Sequence, residues 1–275
     1  MQVPSVKLND GHAIPQLGFG TWRLDDAAAK REVAFALRAG YRHIDTASVY
    51  RNEQGVGQGL RGSGLPRGEI FLTSKVYNTE QGYDKTLAAC EESLKRLNTD
   101  YLDLYLIHWP CPGLGLYVET WKALIHLREQ GLVRSIGVSN FTIADLERLF
   151  SEAGITPAVN QIELHPHFQQ AALRAFHKQH HIATESWSPL GRGDAFEEPA
   201  IKQIAAAHGR SPAQIILRWQ MELGNIAIPK SATDSRIIEN FRIFDFRLSE
   251  ADHIAIAALD KADGRRGHDP LTYNG

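Results

Sequence analysis

A tyrosine, a lysine, a histidine and an aspartate stand in an order that suits proton transfer. Asp45 and Tyr50 share the stretch Tyr41-Arg-His-Ile-Asp45-Thr-Ala-Ser-Val-Tyr50-Arg-Asn-Glu53, Lys75 ends the run Ile70-Phe-Leu-Thr-Ser74, and His108 ends Leu102-Asp-Leu-Tyr-Leu-Ile107. A free phenol has a pKa of ~10, and working near neutrality asks for a downward move of ~3, or ~4 kcal/mol. An ammonium ~4 Å away, at an effective dielectric of ~20, contributes ~4 kcal/mol. Lys75 is therefore the tuner of Tyr50, Asp45 holds Lys75 charged and oriented, and His108 donates a hydrogen bond to a substrate oxygen. Such a unit protonates a developing alkoxide and needs a hydride or another nucleophile from elsewhere. Singly, each residue has a plainer role: Asp caps turns, tyrosine and histidine pack, and a strand-end lysine is a solvated charge. Everything depends on whether the fold brings the four together.

The runs that carry them belong to a repeating pattern. Eight strand-like segments, at residues 17–20, 41–45, 70–74, 102–107, 133–138, 158–162, 182–186 and 225–228, alternate with amphipathic segments such as 84–97, where Leu87, Cys90, Leu94 and Leu97 recur at helical spacing. Gly40 and Gly131 sit where helix C-caps are expected, and Ser211-Pro-Ala-Gln214 reads as a capping box with proline at the first helical position. Eight strand–helix units in ~250 residues predict a (β/α)8 TIM barrel, whose strand carboxyl ends converge on one pocket. A doubly wound sheet is the rival, because both folds share the same local unit. Val6-Lys-Leu8 and Ala13-Ile14, joined by Asn9-Asp-Gly11, predict an N-terminal β-hairpin cap. Helices are expected near 234–241 and 249–259. With no Gly/Pro/Ser-rich linker, residues 1–275 read as one domain, with a short tail at 264–275 that wraps the surface or is flexible.

Of the 275 residues 43% are hydrophobic and 23% charged, ordinary for a soluble globular protein, and the net charge of -2 without a long basic run argues against nucleic acid or an anionic membrane as partner. The opening residues lack a basic segment followed by an apolar run, so a cytoplasmic protein is expected. Cys90 and Cys111 have no metal-ligand or CxxC spacing and are taken as reduced. His165-Pro-His167 and His180-His181 lack a third ligand at recognisable spacing, so no metal is expected. No G-x-S-x-G elbow supports a hydrolase triad. Gly57-Gln-Gly59-Leu-Arg-Gly62 spells G-x-G-x-x-G, yet it neither follows a strand directly nor precedes an acid at a second strand end, and reads as a glycine-rich helix end and loop.

The order Asp45, Tyr50, Lys75, His108, within Gly40-Tyr-Arg-His-Ile-Asp-Thr-Ala-Ser-Val-Tyr50, Leu72-Thr-Ser-Lys75 and Tyr105-Leu-Ile-His108-Trp-Pro110, resembles the aldo-keto reductase superfamily. The likeness continues through Gly137-Val-Ser-Asn-Phe141, Asn160-Gln-Ile-Glu163 and Ile228-Pro-Lys-Ser231, and the short connection after His108 is similar to that of compact bacterial members related to 2,5-diketo-D-gluconate reductases. The resemblance implies a barrel that reduces aldehydes or ketones with NADPH, Tyr50 being the general acid, Lys75 and Asp45 its tuning pair and His108 the group orienting the carbonyl. It implies that Thr21 and Trp22 border the cofactor, that Ser139, Asn140 and Gln161 hold the nicotinamide carboxamide, and that Trp187 stacks on its ring. Ser188, Leu190 and Gly191 would wrap the pyrophosphate. Lys230, Ser231, Ala232, Thr233 and Arg236 would hold the adenosine 2′-phosphate, which favours NADPH over NADH, with Glu239 and Asn240 at the adenine. Trp22, Val49, Tyr77, His108 and Trp109 would line an apolar, aromatic substrate pocket. Tyr77 stands where many relatives have tryptophan, and Ala232-Thr233 varies the usual loop. The admissible substrates are methylglyoxal and other small reactive carbonyls, aromatic aldehydes, and sugar-derived diketones such as 2,5-diketo-D-gluconate; the alternative is an NADPH-binding regulatory or redox-sensing subunit. A monomer is expected.

Overall fold

The strand-like runs do form one closed sheet in the computed structural model, which describes residues 3–275. Two short strands come first, β1 (Ser5–Lys7) and β2 (Ala13–Pro15), antiparallel with Val6 opposite Ile14. Then follow β3 (Phe19–Gly20), α1 (Asp26–Ala39), β4 (His43–Asp45), α2 (Glu53–Gly62), β5 (Phe71–Val76), α3 (Tyr83–Leu97), β6 (Leu102–Ile107) and α4 (Tyr117–Glu129). The second half holds β7 (Val133–Ser139), α5 (Ile143–Ala153), β8 (Val159–Glu163), α6 (Ala171–Gln179), β9 (Ala183–Trp187), α7 (Pro199–His208), α8 (Pro212–Glu222), β10 (Ile226–Ala227), α9 (Asp234–Phe241) and α10 (Glu250–Ala257). Strands β3 to β10 are parallel and pair in chain order. The two ends meet: Leu17 bridges Ala227, and the Gly18 amide donates to the Ala227 carbonyl at 2.9 Å. This closure decides for the barrel over the doubly wound sheet, since an open sheet leaves its edge strands unpaired.

The hairpin caps the amino end of the barrel, where Leu8 and Ile14 pack with Phe71, Leu104, Leu106, Val159 and Ile226. With that end sealed by apolar side chains, the polar chemistry is left to the other. Gly40, at φ 118, caps α1 by donating to the Ala36 and Leu37 carbonyls, and the Ser211–Gln214 capping box opens α8. The G-x-G-x-x-G run lies inside α2, further into the helix than expected. Gly57 and Gly59 serve packing. A Cβ on Gly57 would sit 2.1 Å from the Leu97 carbonyl oxygen, and one on Gly59 2.8 Å from Val33 Cβ, so α2 lies against α1 and the end of α3 closer than any side chain permits.

The tail crosses the carboxyl end. Glu163 accepts the backbone amides of Arg266 at 2.7 Å and Gly267 at 2.9 Å, and Asn274 Oδ1 accepts the Gly113 amide at 2.7 Å. Tyr273 stacks on His268 and meets Trp109 edge-on, with ring centroids 4.1 and 4.8 Å apart. Among the described residues, no helix is long and apolar enough to cross a membrane.

Candidate active site

Three successive strands deliver the four residues to one end of the barrel. Asp45 closes β4, and Tyr50 follows in a short 3₁₀ turn (Ser48–Tyr50) that Arg51 ends at φ 54. Lys75 lies one residue inside β5 rather than beyond it, because pairing with β6 continues through Val76 opposite Ile107. His108 comes directly after β6. The Lys75 side chain is fully buried, and its ammonium donates to Asp45 Oδ1 at 2.6 Å and to the Thr46 carbonyl at 2.9 Å. It stands 5.3 Å from the centre of the Tyr50 ring, which meets the His108 ring edge-on at 5.8 Å. Tyr77 approaches His108 from another side at 6.1 Å.

The electrostatics sharpen the roles. Burial alone would discharge Lys75, but the charge of Asp45 and its hydrogen bond lead the effects that outweigh it and hold the ammonium above its ordinary pKa. The expected fall in the phenol's own pKa is not found. Burial pushes Tyr50 up, and the opposing field of Lys75 does not cancel it, since that field is partly spent on Asp45. The phenol therefore keeps its proton, and the charge of Lys75 would favour the phenolate were that proton to leave. Burial and Lys75 push His108 well below its ordinary value, so its imidazole is neutral and retains one N–H to donate.

The loop carrying Tyr50 is tied down by Asn52, whose amide donates to the Thr21 and Leu24 carbonyls at 2.9 Å each while accepting the Thr46 hydroxyl. Ser48 donates to Glu80 at 3.0 Å beside half-buried Val49. Nothing in the residue order distinguished Asn52 from an ordinary turn asparagine.

Around the four lie the other expected residues. Asn140, held at φ 65, donates to the His108 carbonyl and to Ser139 Oγ at 3.0 Å each and accepts the Trp187 indole N–H at 2.8 Å. It links the histidine's backbone to the half-exposed tryptophan. Gln161 donates to Asp45 Oδ2 and Glu185 Oε2, both at 2.8 Å, leaving its side-chain carbonyl without a protein donor among the described residues. Trp22 is 41% exposed beneath Arg23, beside buried Thr21, and Trp109 is covered by Tyr273.

Ser188 (φ 47) and Gly191 (φ 54) turn the chain after β9, with Leu190 between them half-buried and the Gly191 amide bonded to the Ser188 carbonyl at 2.8 Å. Past β10, Lys230, Ala232, Thr233 and Arg236 are exposed, and neither cation forms an ion pair among the described residues. Ser231 Oγ accepts the Thr233 amide at 3.1 Å. Glu239 accepts the Ser211 hydroxyl, and Asn240 is buried beside it.

These features fit a dinucleotide phosphate: an indole face, a free amide carbonyl, a tight backbone turn and two uncommitted cations. His165 pairs with Glu163 at 3.1 Å and His167 with Glu198 at 2.7 Å, and among the described residues no three metal-binding side chains cluster. Cys90 and Cys111 are free and buried. Glu185 and His43, which line the layer beneath Asp45 and Lys75, escaped the motif reading. An acid inside the strand-like run 182–186 was the one signal for Glu185.

Comparison with known proteins agrees with this geometry. The model of the Aldo/keto reductase family matches residues 16–261. An aldo-keto reductase of Mycolicibacterium smegmatis is 54% identical over 98% of both chains, and the methylglyoxal reductase DkgA of Yersinia pestis is 49% identical over 98% of this chain and 97% of its own. A Gox0644 variant solved in complex with NADPH has a TM-score of 0.96 at 49% identity, covering 99% of each chain. A family match that runs the length of the barrel, together with relatives that agree from end to end, leaves one assignment: the chain belongs to the Aldo/keto reductase family and is an NADP-dependent oxidoreductase.

Proposed function

We propose that the protein reduces small reactive carbonyls, methylglyoxal foremost, to alcohols with Tyr50 as general acid. The observation that carries this is the buried Lys75–Asp45 pair at 2.6 Å beside the Tyr50 ring. NADPH, when bound, supplies the hydride. His108 donates to the carbonyl oxygen and orients it, and Tyr50 passes its proton to that oxygen as negative charge develops there. Lys75 steadies the resulting phenolate electrostatically, worth most in a buried site. Asn140, Ser139 and the free carbonyl of Gln161 hold the carboxamide, Trp187 backs the nicotinamide ring, and the Ser188–Gly191 turn, with Leu190, presents backbone amides to the pyrophosphate. Thr21 and Trp22 border the cofactor. Lys230 and Arg236 face the 2′-phosphate, with Ser231, Ala232 and Thr233 forming the loop between them. Glu239 and Asn240 lie toward the adenine.

Trp22, Val49, Tyr77 and Trp109 give the substrate mouth an apolar, aromatic wall with few fixed polar groups, which suits small carbonyls recognised mainly at the reacting oxygen. The likeness to the methylglyoxal reductase of Yersinia pestis supports the same class. The test is a panel at saturating NADPH: methylglyoxal, aromatic aldehydes and 2,5-diketo-D-gluconate. Tyr50→Phe should lower kcat by about 10²-fold or more while leaving NADPH affinity within about threefold. Tight NADPH binding without turnover on any carbonyl would point instead to a regulatory or redox-sensing subunit.

A further inference from the structure

Beneath the Asp45–Lys75 pair lies a second carboxyl that the proton-transfer scheme does not use. Glu185 projects from the middle of β9 into the barrel and is fully buried. Its Oε2 accepts from Gln161 Nε2 at 2.8 Å, and the same nitrogen donates to Asp45 Oδ2 at 2.8 Å, so one amide bridges two carboxyl groups. Its other oxygen, Oε1, has no hydrogen-bond partner among the described residues. His43 Nε2 stands 3.6 Å from Oε1 and lies 3.2 Å from Thr73 Oγ1 instead.

The titratable groups facing Glu185 are Asp45 and His43 from β4, Lys75 from β5 and Tyr50 from the turn after β4. Strand β8 adds the uncharged Gln161, and β10 sets Ile226 beside it in register. With Asp45 and Glu185 both ionised against the single ammonium of Lys75, this dry layer carries a net negative charge, which buried groups tolerate poorly. A charged His43 would restore balance. However, a charge-assisted hydrogen bond closes to about 2.7–2.9 Å, the gap here is 3.6 Å, and burial with the nearby Lys75 holds the imidazole down at about 3.

We propose that Glu185 is a positioning residue that holds a proton while the enzyme works, leaving Asp45 the one ionised carboxylate beside Lys75. Burial and the charge of Asp45 accordingly push Glu185 up to about 8. Its raised value means that the carboxyl is neutral below that pH and ionises above it. A second negative charge then draws on Lys75, the phenolate of Tyr50 loses support, and reduction slows. No motif residue responsible for the chemistry changes, only the field that Lys75 offers.

The inference rests on the carbonyl-reduction reading of the site, and its test separates the two. In protein labelled with ¹³C at glutamate carboxyls, the resonance missing from Glu185→Gln is expected to titrate with a midpoint near 8; a Glu185 resonance ionised across the whole range from about pH 6 to about pH 9 overturns the proposal. That measurement needs no turnover. Glu185→Asp supplies the same assignment where the glutamine variant does not fold. With methylglyoxal and saturating NADPH, the ratio of kcat at about pH 6.5 to kcat at about pH 9 should fall by about threefold or more in Glu185→Gln relative to wild type, and Glu185→Asp should keep the wild-type form. Equal ratios in wild type and Glu185→Gln overturn the coupling. Absence of turnover in wild type counts against the carbonyl-reduction reading and leaves the titration to decide the proton.

Discussion

Replacing Lys75 by methionine keeps most of the side-chain volume and removes the charge, which isolates what the ammonium does. Two effects follow from its contacts. The ammonium is 2.6 Å from Asp45 in a fully buried pair, and breaking such a pair by removing one partner costs about 3–5 kcal/mol of stability. It is also 5.3 Å from the Tyr50 ring centre, and at that separation an effective dielectric of about 20 gives about 3 kcal/mol of support to a phenolate. The second figure corresponds to a fall in kcat on the order of 10²-fold. Adding Asp45→Asn separates the two, because it removes the orphaned carboxylate without restoring a cation. The double variant should regain most of the lost stability in chemical denaturation and none of the lost rate in NADPH-oxidation assays. NADPH affinity, read by fluorescence quenching, should change by less than about threefold in both. A Lys75→Met kcat within about threefold of wild type, or a rate that recovers together with stability in the double variant, would refute the electrostatic role.

Arg236→Ala should weaken NADPH by about tenfold and NADH hardly at all, as a charge-assisted contact to a phosphate is worth ~1.5 kcal/mol or more; equal losses for both cofactors would contradict a 2′-phosphate contact. Gly57→Ala, whose new Cβ would fall 2.1 Å from the Leu97 carbonyl oxygen, should lower unfolding free energy by about 2 kcal/mol or more, whereas Gly62→Ala, with its nearest neighbour 3.8 Å away, should be neutral within about 0.5 kcal/mol. The tail's anchor has its own pH dependence. Burial resists ionisation of Glu163, but hydrogen bonds from His165 and from the Gly267 and Arg266 amides outweigh it and hold the carboxyl below its ordinary 4.5. The anchor is thus at full strength above that pH and fades as pH falls through the lower folded value. Hydrogen exchange at the Arg266 and Gly267 amides should report this loss of protection in acid, and Glu163→Gln should abolish its pH dependence.

Much of this architecture is written in local pattern. Each barrel strand is a short run set between helical repeats, and each expected run coincides with a strand to within two residues, the offset reaching two at 17–20, 41–45 and 70–74, where the strands are Phe19–Gly20, His43–Asp45 and Phe71–Val76. The reason is that a short run bounded by helix caps and turns is marked out by its immediate neighbours, even where the strand itself is rich in polar residues, as Thr184-Glu185-Ser186 is. Lys75 shows the limit: its run looked finished at Ser74, and only hydrogen bonding to β6 carries the strand past the lysine. The glycines of α2 show another. The spacing matched a phosphate-binding signature, yet the purpose of Gly57 and Gly59, close approach to Leu97 and to Val33 and Lys30, depends on neighbouring helices that the local pattern does not place.

The amino-acid sequence by itself determined the alternation of elements, the caps that end several helices and the order in which Asp45, Tyr50, Lys75 and His108 reach the strand ends. These are local matters of periodicity and capping, decided over a few turns of chain. Tertiary structure alone decided that the sheet closes at Leu17 and Ala227, that Glu163 pins the tail over the site, and that Glu185 shares an amide with Asp45. It also decided the acidity of Tyr50, because desolvation depends on everything packed around a group. A lysine on the next strand predicts the sign of one contribution, while the enclosure that opposes it exists only once the barrel is closed.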